Sequence, residues 1–211
     1  MLDILPAINE YCVNHSSSFD KILSEIEKTT YQKTTSPHML SGQLQGSLLS
    51  MISKMKSPEY ILEIGTFTGY SAICLVQGLK SSGKLVTIDN NPETNYIADA
   101  FFKKHHQNGK IELMEGDAKK IIPTLNYVFD LVFIDADKES YMDYFDLVID
   151  KCNNGALILA DNVLWSGKII DENKDKKTKL LDDFNKKIHA DARVENIILP
   201  IRDGINLIRK I

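Results

Sequence analysis

The chain has 211 residues, 43% hydrophobic and 26% charged, which suits one folded domain with a full core and excludes a disordered or fibrous chain. With 25 basic and 29 acidic residues the net charge is -4, so no broad basic field exists for nucleic acid or an anionic membrane, and small molecules are the expected partners. Cys12, Cys74 and Cys152 lie far apart with no C-x-x-C pair, so they read as reduced, mostly buried thiols and not as a zinc site or a disulfide framework.

The opening MLDILPAINEY carries acids where a secretion signal needs basic residues, and no apolar run approaches the ~18 residues of a membrane span, so a cytoplasmic protein is expected. Asn14-His15-Ser16 fits a glycosylation sequon, which carries no weight without secretion. In FDKILSEIEKTTYQ, Phe19, Ile22, Leu23 and Ile26 recur at three- and four-residue spacing, and LQGSLLSMISKM repeats the pattern. Residues 1–57 therefore read as a helical preface to a core over residues 58–211, the two forming a single domain over residues 1–211.

From Tyr60 onward the short apolar runs YILEI, KLVTID, KIELME, FDLVFID and GALILA alternate with stretches long enough for helices. That alternation predicts an α/β fold with a parallel sheet covered by helices on both faces. His105 and His106 fall on one of the intervening helices, far from any strand end, and read as surface residues. The polar stretch over residues 171–179 reads as a solvated loop leading into a charged helix face. RVENIILP and INLIRKI are joined by Ile201-Arg202-Asp203-Gly204, whose Asp-Gly signals a hairpin, so the last strand is expected to run antiparallel.

In open sheets of this kind ligands sit beyond the carboxyl ends of the strands, where the winding reverses. The first strand ends in LEIGTFTGYS; Gly65 permits a tight turn and Gly69 a close approach of backbone to ligand. G-x-x-x-G is not the dinucleotide fingerprint, and Phe67 stands where that motif needs its second glycine. Glu63 sharpens the choice, since a carboxylate facing this loop repels a pyrophosphate and attracts an amine or sulfonium, which favours S-adenosylmethionine. Asp89 follows Gly65 at close to the ~20-residue spacing of an acid that binds ribose hydroxyls. Asp117, in Gly116-Asp117-Ala118, is placed to accept from an adenine amino group. Singly, Asp117 reads as a helix N-cap and Asp89 as a strand-end carboxylate; in order at successive strand ends they point to a nucleoside site.

The fourth strand runs into FIDADK and the fifth into Asp161-Asn162, so Asp135, Asp161 and Asn162 offer hard oxygens to one rim with no thiolate or imidazole among them. Such a set selects Mg²⁺, Mn²⁺ or Ca²⁺ over zinc or copper and leaves about three octahedral positions, enough for two adjacent phenolic oxygens and a water. The plainer alternative, two capping acids and a turn asparagine, suits a lone D-x-D or D-N better than this pair on consecutive strands. Lys138 reads by default as a solvated lysine, but beside a divalent cation its amine would be held neutral and could take a proton from a hydroxyl. Tyr144 falls on the helix after FIDADK at a core spacing, and Trp165 in the loop after the metal pair suits either an aromatic wall or a packing role.

From MLSGQLQG (residues 39–46) through LEIGTFTGYS, TIDNN, EGDA, FIDADK and ADNVLWSG to the terminal hairpin, the chain resembles the metal-dependent, S-adenosylmethionine-dependent O-methyltransferases of the caffeoyl-CoA and catechol type. The resemblance implies a Rossmann-like, doubly wound, seven-stranded, mostly parallel sheet with a C-terminal antiparallel hairpin. It implies that Asp135, Asp161 and Asn162 hold the metal and that Lys138 is the base. It puts Met39, Ser41, Glu63, Gly65, Thr66, Ser71, Asp89, Asp117, Ala118, Asp135, Asp137 and Tyr144 at the cofactor site. A catechol-like phenolic acceptor and a homodimer are implied as well. The N-terminal region is shorter than in the plant enzymes, which leaves the acceptor open. The rivals are a metal-free methyltransferase, a catalytically idle cofactor-binding module and a nicotinamide dehydrogenase.

Overall fold

A computed structural model describes residues 6–17 and 20–211. The sequence expectations for the first five residues and for Phe19 lie outside the described residues. In chain order the elements are α1 (Pro6–Asn14), α2 (Lys21–Lys33), α3 (Gly42–Lys56), β1 (Tyr60–Ile64), α4 (Tyr70–Leu75), β2 (Lys84–Asp89), α5 (Pro92–Lys104) and β3 (Ile111–Glu115). Then follow α6 (Ala118–Ile121), β4 (Phe129–Ile134), α7 (Tyr141–Ile149), β5 (Cys152–Asp161), α8 (Lys176–Ala190), β6 (Val194–Leu199) and β7 (Ile205–Lys210).

Side-chain caps account for several starts. Asp20 accepts from Ile22 N–H at 3.1 Å ahead of α2. Asn91 does the same for Glu93 at 3.0 Å ahead of α5, whose Pro92 needs no partner for the N–H it lacks. Asp175 caps α8 through Thr178 N–H at 2.8 Å, so the charged stretch is a loop feeding a helix, as its composition implies.

The seven strands form one sheet in the order β3-β2-β1-β4-β5-β7-β6. β1 through β5 pair in parallel and β7 runs antiparallel between β5 and β6. The expected topology and terminal hairpin are therefore present. Successive strand residues point to opposite faces and divide the core in two. Leu62, Ile64, Val132 and Ile134 pack with α6, α7 and α8, while Ile61, Leu131 and Phe133 pack with α2, α3, α4 and α5. Each fully buried aliphatic or aromatic side chain contributes roughly 1.5–3 kcal/mol, which is why near-continuous apolar strands suit a sheet covered on both faces.

The sequence expectation for His105 needs correction. α5 ends at Lys104, and His105 is its C-cap, 3% exposed, with Nε2 facing Asp20 Oδ2 at 3.5 Å. Burial lowers its pKa. His106 is exposed, as expected. Cys74 and Cys152 are buried, Cys12 is partly so, and all three are free thiols. Among the described residues no helix is long and apolar enough to cross a membrane.

The chain winds outward from β1 to β3 and then crosses back to β4 on the other side of β1. At this reversal Asp135 N–H donates to Ile64 O at 2.8 Å and Gly65 N–H to Ile88 O at 2.9 Å, which brings the ends of β1, β2 and β4 together.

Candidate active site

The loop after β1 is built around Asp89. Its Oδ2 accepts from Thr66 N–H and Phe67 N–H, both at 2.9 Å, and its Oδ1 from Asn91 N–H at 2.9 Å. Asp89 thus stands at the expected strand end and also fixes the loop backbone. Phe67, at the place a dinucleotide motif reserves for glycine, takes the left-handed conformation at φ 49. Gly65 (φ +101) is required by its neighbour, since a Cβ there would lie 2.1 Å from the Asp135 carbonyl oxygen. For Gly69 the reason differs from the one the sequence suggested. A Cβ at Gly69 would meet the Phe102 ring at 2.7 Å, so the close approach there is helix packing.

Glu63 is 0% exposed. Thr87 donates its hydroxyl to Oε2 at 2.5 Å, and Thr66 Oγ1 lies 2.6 Å from Thr87 Oγ1. Oε1 is buried without a hydrogen-bond partner among the described residues. Burial pushes the carboxyl up to about 8, against the Ser71 and Thr87 hydroxyls and with the charges of Asp135 and Asp89. Ser41, Thr66, Ser71 and Ala118 are buried nearby in the sequence motifs that carry them, whereas Met39 is 56% exposed. Asp117 caps α6 through Lys119 N–H at 2.9 Å. Tyr144 belongs to the core, as its spacing implies, and donates its hydroxyl to Asp137 Oδ1 at 2.5 Å.

The ends of β4 and β5 carry the second group. Lys138 Nζ donates to Asp135 Oδ1 at 3.0 Å and to the Tyr141 phenol oxygen at 2.6 Å. The lysine side chain is 11% exposed, not the solvated chain of its default reading. Asp161 accepts from Gln45 Nε2 at 2.6 Å and from Asn162 N–H at 2.8 Å. Asn162 adopts φ 59 where the chain leaves β5. Burial and the charge of Asp135 push the Asp161 carboxyl well up, against Lys138, Gln45 and the Asn162 amide. Two carboxylates thus face one ammonium, one of them enclosed, and a hard divalent cation fits this all-oxygen set.

Three residues that sequence reasoning passed over complete the group. Gln45 lies inside the MLSGQLQG stretch, and Tyr141 follows Lys138 by one turn. Arg202, on the hairpin, donates to Ser41 O and, at 3.2 Å, to Gln45 Oε1, which aims the Gln45 amide nitrogen at Asp161. Gln45 and Arg202 lie in stretches already singled out, and Tyr141 lies just past FIDADK, but nothing local marks their contacts. Trp165 (φ 47) packs partly buried against the core beside Val163 and Leu164.

Asp20, His105 and His106 also bring three ligand atoms within 4.8 Å of one another. Gln107 N–H points at His105 Nδ1, 3.3 Å away, which leaves the ring proton on Nε2. His105 Nε2 faces Asp20 Oδ2 and also lies 3.4 Å from Gln77 Nε2, so in this structure the ring is tied into the packing between α2 and α5.

Comparison with known proteins agrees with this geometry. The O-methyltransferase family profile matches residues 13–211. Caffeoyl-CoA O-methyltransferase 1 of Nicotiana tabacum is 35% identical over 186 residues, covering 82% of this chain and 78% of its own. The SAH-bound methyltransferase PaMTH1 of Podospora anserina superposes with a TM-score of 0.89 at 29% identity, over 97% of this chain and 94% of its own. An O-methyltransferase of Bacillus cereus, solved in complex with SAH, gives a TM-score of 0.89 at 26% identity over 97% of each chain. With its sheet order, its rim of acids and a family match over nearly its whole length, the chain belongs to the O-methyltransferase family.

Proposed function

We propose that the protein transfers a methyl group from S-adenosylmethionine to one hydroxyl of a catechol-like small molecule, with Asp135, Asp161 and Asn162 holding a hard divalent cation. The observation that carries the reading is the Asp135–Lys138–Asp161 group beside the Gly65 loop, where two carboxylates, one of them buried, face a single lysine. The SAH named with the fungal and bacterial neighbours supports the donor, and the caffeoyl group named in the plant relatives carries two adjacent hydroxyls.

Methyl transfer from a sulfonium is an in-line displacement, so the acceptor oxygen must be deprotonated and held roughly 3 Å from the methyl carbon. A bound cation would lower the pKa of a coordinated hydroxyl and orient paired oxygens. Lys138 would serve as the base, taking the hydroxyl proton onto Nζ, and its 11% exposure leaves an edge open to solvent. Asp89 fixes the loop through Thr66 and Phe67, and Glu63 Oε1 offers an unused acceptor to a cationic group of the donor.

Product mass tests the reading: a catechol and its mono-phenol analogue are each incubated with S-adenosylmethionine, using enzyme treated with EDTA and enzyme restored with Mg²⁺. Restored enzyme should methylate the catechol, and treated enzyme should not. EDTA-treated enzyme that methylates the mono-phenol as fast as restored enzyme methylates the catechol would sink the metal assignment.

The same reading makes the protein a homodimer, which would cover Ile8, Tyr11, Tyr31, Met51 and Met55, all exposed on the N-terminal helices. Sedimentation at micromolar concentration reads this directly, and a single species of 23.8 kDa would count against it.

A further inference from the structure

We infer that Tyr141 is a positioning residue for Lys138: its phenol oxygen, tied to the backbone ends of β4 and β5, is the fixed anchor that holds the lysine amine in place. The inference rests on the proposed role of Lys138 as proton acceptor and goes beyond it to the group that sets where that amine stands.

Tyr141 is 1% exposed, and its ring packs edge-on against Phe184 at 5.5 Å between centroids. Packing alone would be served by phenylalanine, and an unpaired buried hydroxyl costs stability. Here the hydroxyl lies 3.2 Å from Ile134 O and 3.0 Å from Asp161 O, carbonyls at the last residues of β4 and β5. A phenol has one proton, and neither carbonyl can donate, so that proton goes to one of them. The oxygen's lone pairs are left toward Lys138 Nζ at 2.6 Å, which makes the tyrosine the acceptor and the lysine the donor.

A lysine side chain has four rotatable bonds, and all of them must be ordered for the amine to stand in one place. Asp135 supplies one contact, from a side-chain carboxylate that is 22% exposed. Tyr141 supplies a second contact with less freedom, because its ring is buried against Phe184 and its one proton is held by a carbonyl at a strand end. The ammonium also sits 4.8 Å from the Tyr141 ring centroid. Lys138 opens a single short turn and Tyr141 begins α7, so the three-residue spacing places both groups on the same side of the chain. The register of β4 against β5 thereby sets the position of the amine relative to Asp161, and displacement by about 1 Å in such a site costs up to ~10²-fold in rate.

The test is a cycle of four proteins: wild type, Tyr141→Phe, Lys138→Ala and the double variant, each assayed with a catechol, S-adenosylmethionine and Mg²⁺. Tyr141→Phe should lower kcat by about 10- to 10²-fold, with donor KM close to wild type. Lys138→Ala should lower kcat by about 10²- to 10⁴-fold, and adding Tyr141→Phe to it should cost nothing further. Wild-type kcat in Tyr141→Phe, or the same fold-loss in both backgrounds, overturns the role, the second because a packing defect acts without the lysine. If wild-type enzyme turns over no catechol, the proposed reaction itself falls, and the Lys138–Tyr141 tie is read from thermal unfolding of the same four proteins in EDTA. Non-additive midpoint shifts then support the tie, and additive shifts overturn it.

Discussion

The two halves of the rim use carboxylates in opposite ways. At the ends of β1 and β2, Asp89 spends its oxygens on backbone N–H groups of its own chain, and the loop it builds is largely satisfied before any ligand arrives. At the ends of β4 and β5, Asp135 and Asp161 face each other with Lys138 as the cation against them, and the enclosed acid is pushed toward its protonated form. One half is a preformed cradle and the other an uncompensated charge cluster. They meet at Gly65, where the absence of a side chain lets the Asp135 carbonyl approach the cradle. Acids at successive strand ends therefore need not play equivalent parts: one kind builds a surface and the other faces a counter-charge.

Paired substitutions should separate the halves most sharply. Asp161→Ala is expected to lower turnover by at least about 10²-fold, the scale on which even outer-shell partners of a metal act, while calorimetry shows donor affinity within about twofold. Asp89→Ala strips two loop N–H groups of a charged acceptor, each such bond being worth roughly 1.5–3 kcal/mol. It should weaken donor binding by about 10- to 100-fold while leaving cation binding intact. If both variants lose donor affinity to the same extent, the rim is one unit and the comparison is wrong.

The fold was readable because apolar runs of strand length, separated by helix-length stretches, leave few packings open, and because Asp203-Gly204 announces the hairpin. The candidate site was readable wherever a functional side chain sits at a strand end, as Glu63, Asp89, Asp135 and Asp161 do. What escaped depends on contacts between distant segments. Arg202 reaches Gln45 across most of the chain, and no local pattern marks that pair. His105 looked exposed because helix periodicity says nothing of a cap folded back on Asp20. Gly69 was assigned to a ligand when its neighbour is Phe102, since a glycine in a motif shows that space is needed and not what fills it. Tyr141 was hidden by its own ring, which a sequence pattern reads as core, while its hydroxyl does the bonding.

The smallest expected effect concerns Glu63, the member of the cradle that its own chain does not satisfy. Its folded pKa of about 8 lies above the ordinary value of 4.5, so the folded state holds the proton more tightly than the unfolded state. The stabilising contribution is therefore fully present below about pH 4.5 and is lost as pH rises through about 8. Glu63→Gln keeps the shape and the bond from Thr87 but cannot ionise, so it should match wild type near pH 5 and unfold at a higher temperature near pH 9. The gain should be several degrees, since about 1 kcal/mol corresponds to roughly 2–4 °C in a domain of this size. The shift of Asp161 has the same sign but is common to both proteins, so it cancels in the difference. Saturating S-adenosylmethionine should reverse the order at pH 9, because an ionised Glu63 gains from a cationic ligand what an amide cannot. Thermal unfolding at the two pH values, with and without the donor, checks all four expectations. Parallel pH curves for the two proteins would show that Glu63 ionises in the fold as readily as in water, and the contrast between a satisfied cradle and a waiting acceptor would then fail at its most exposed point.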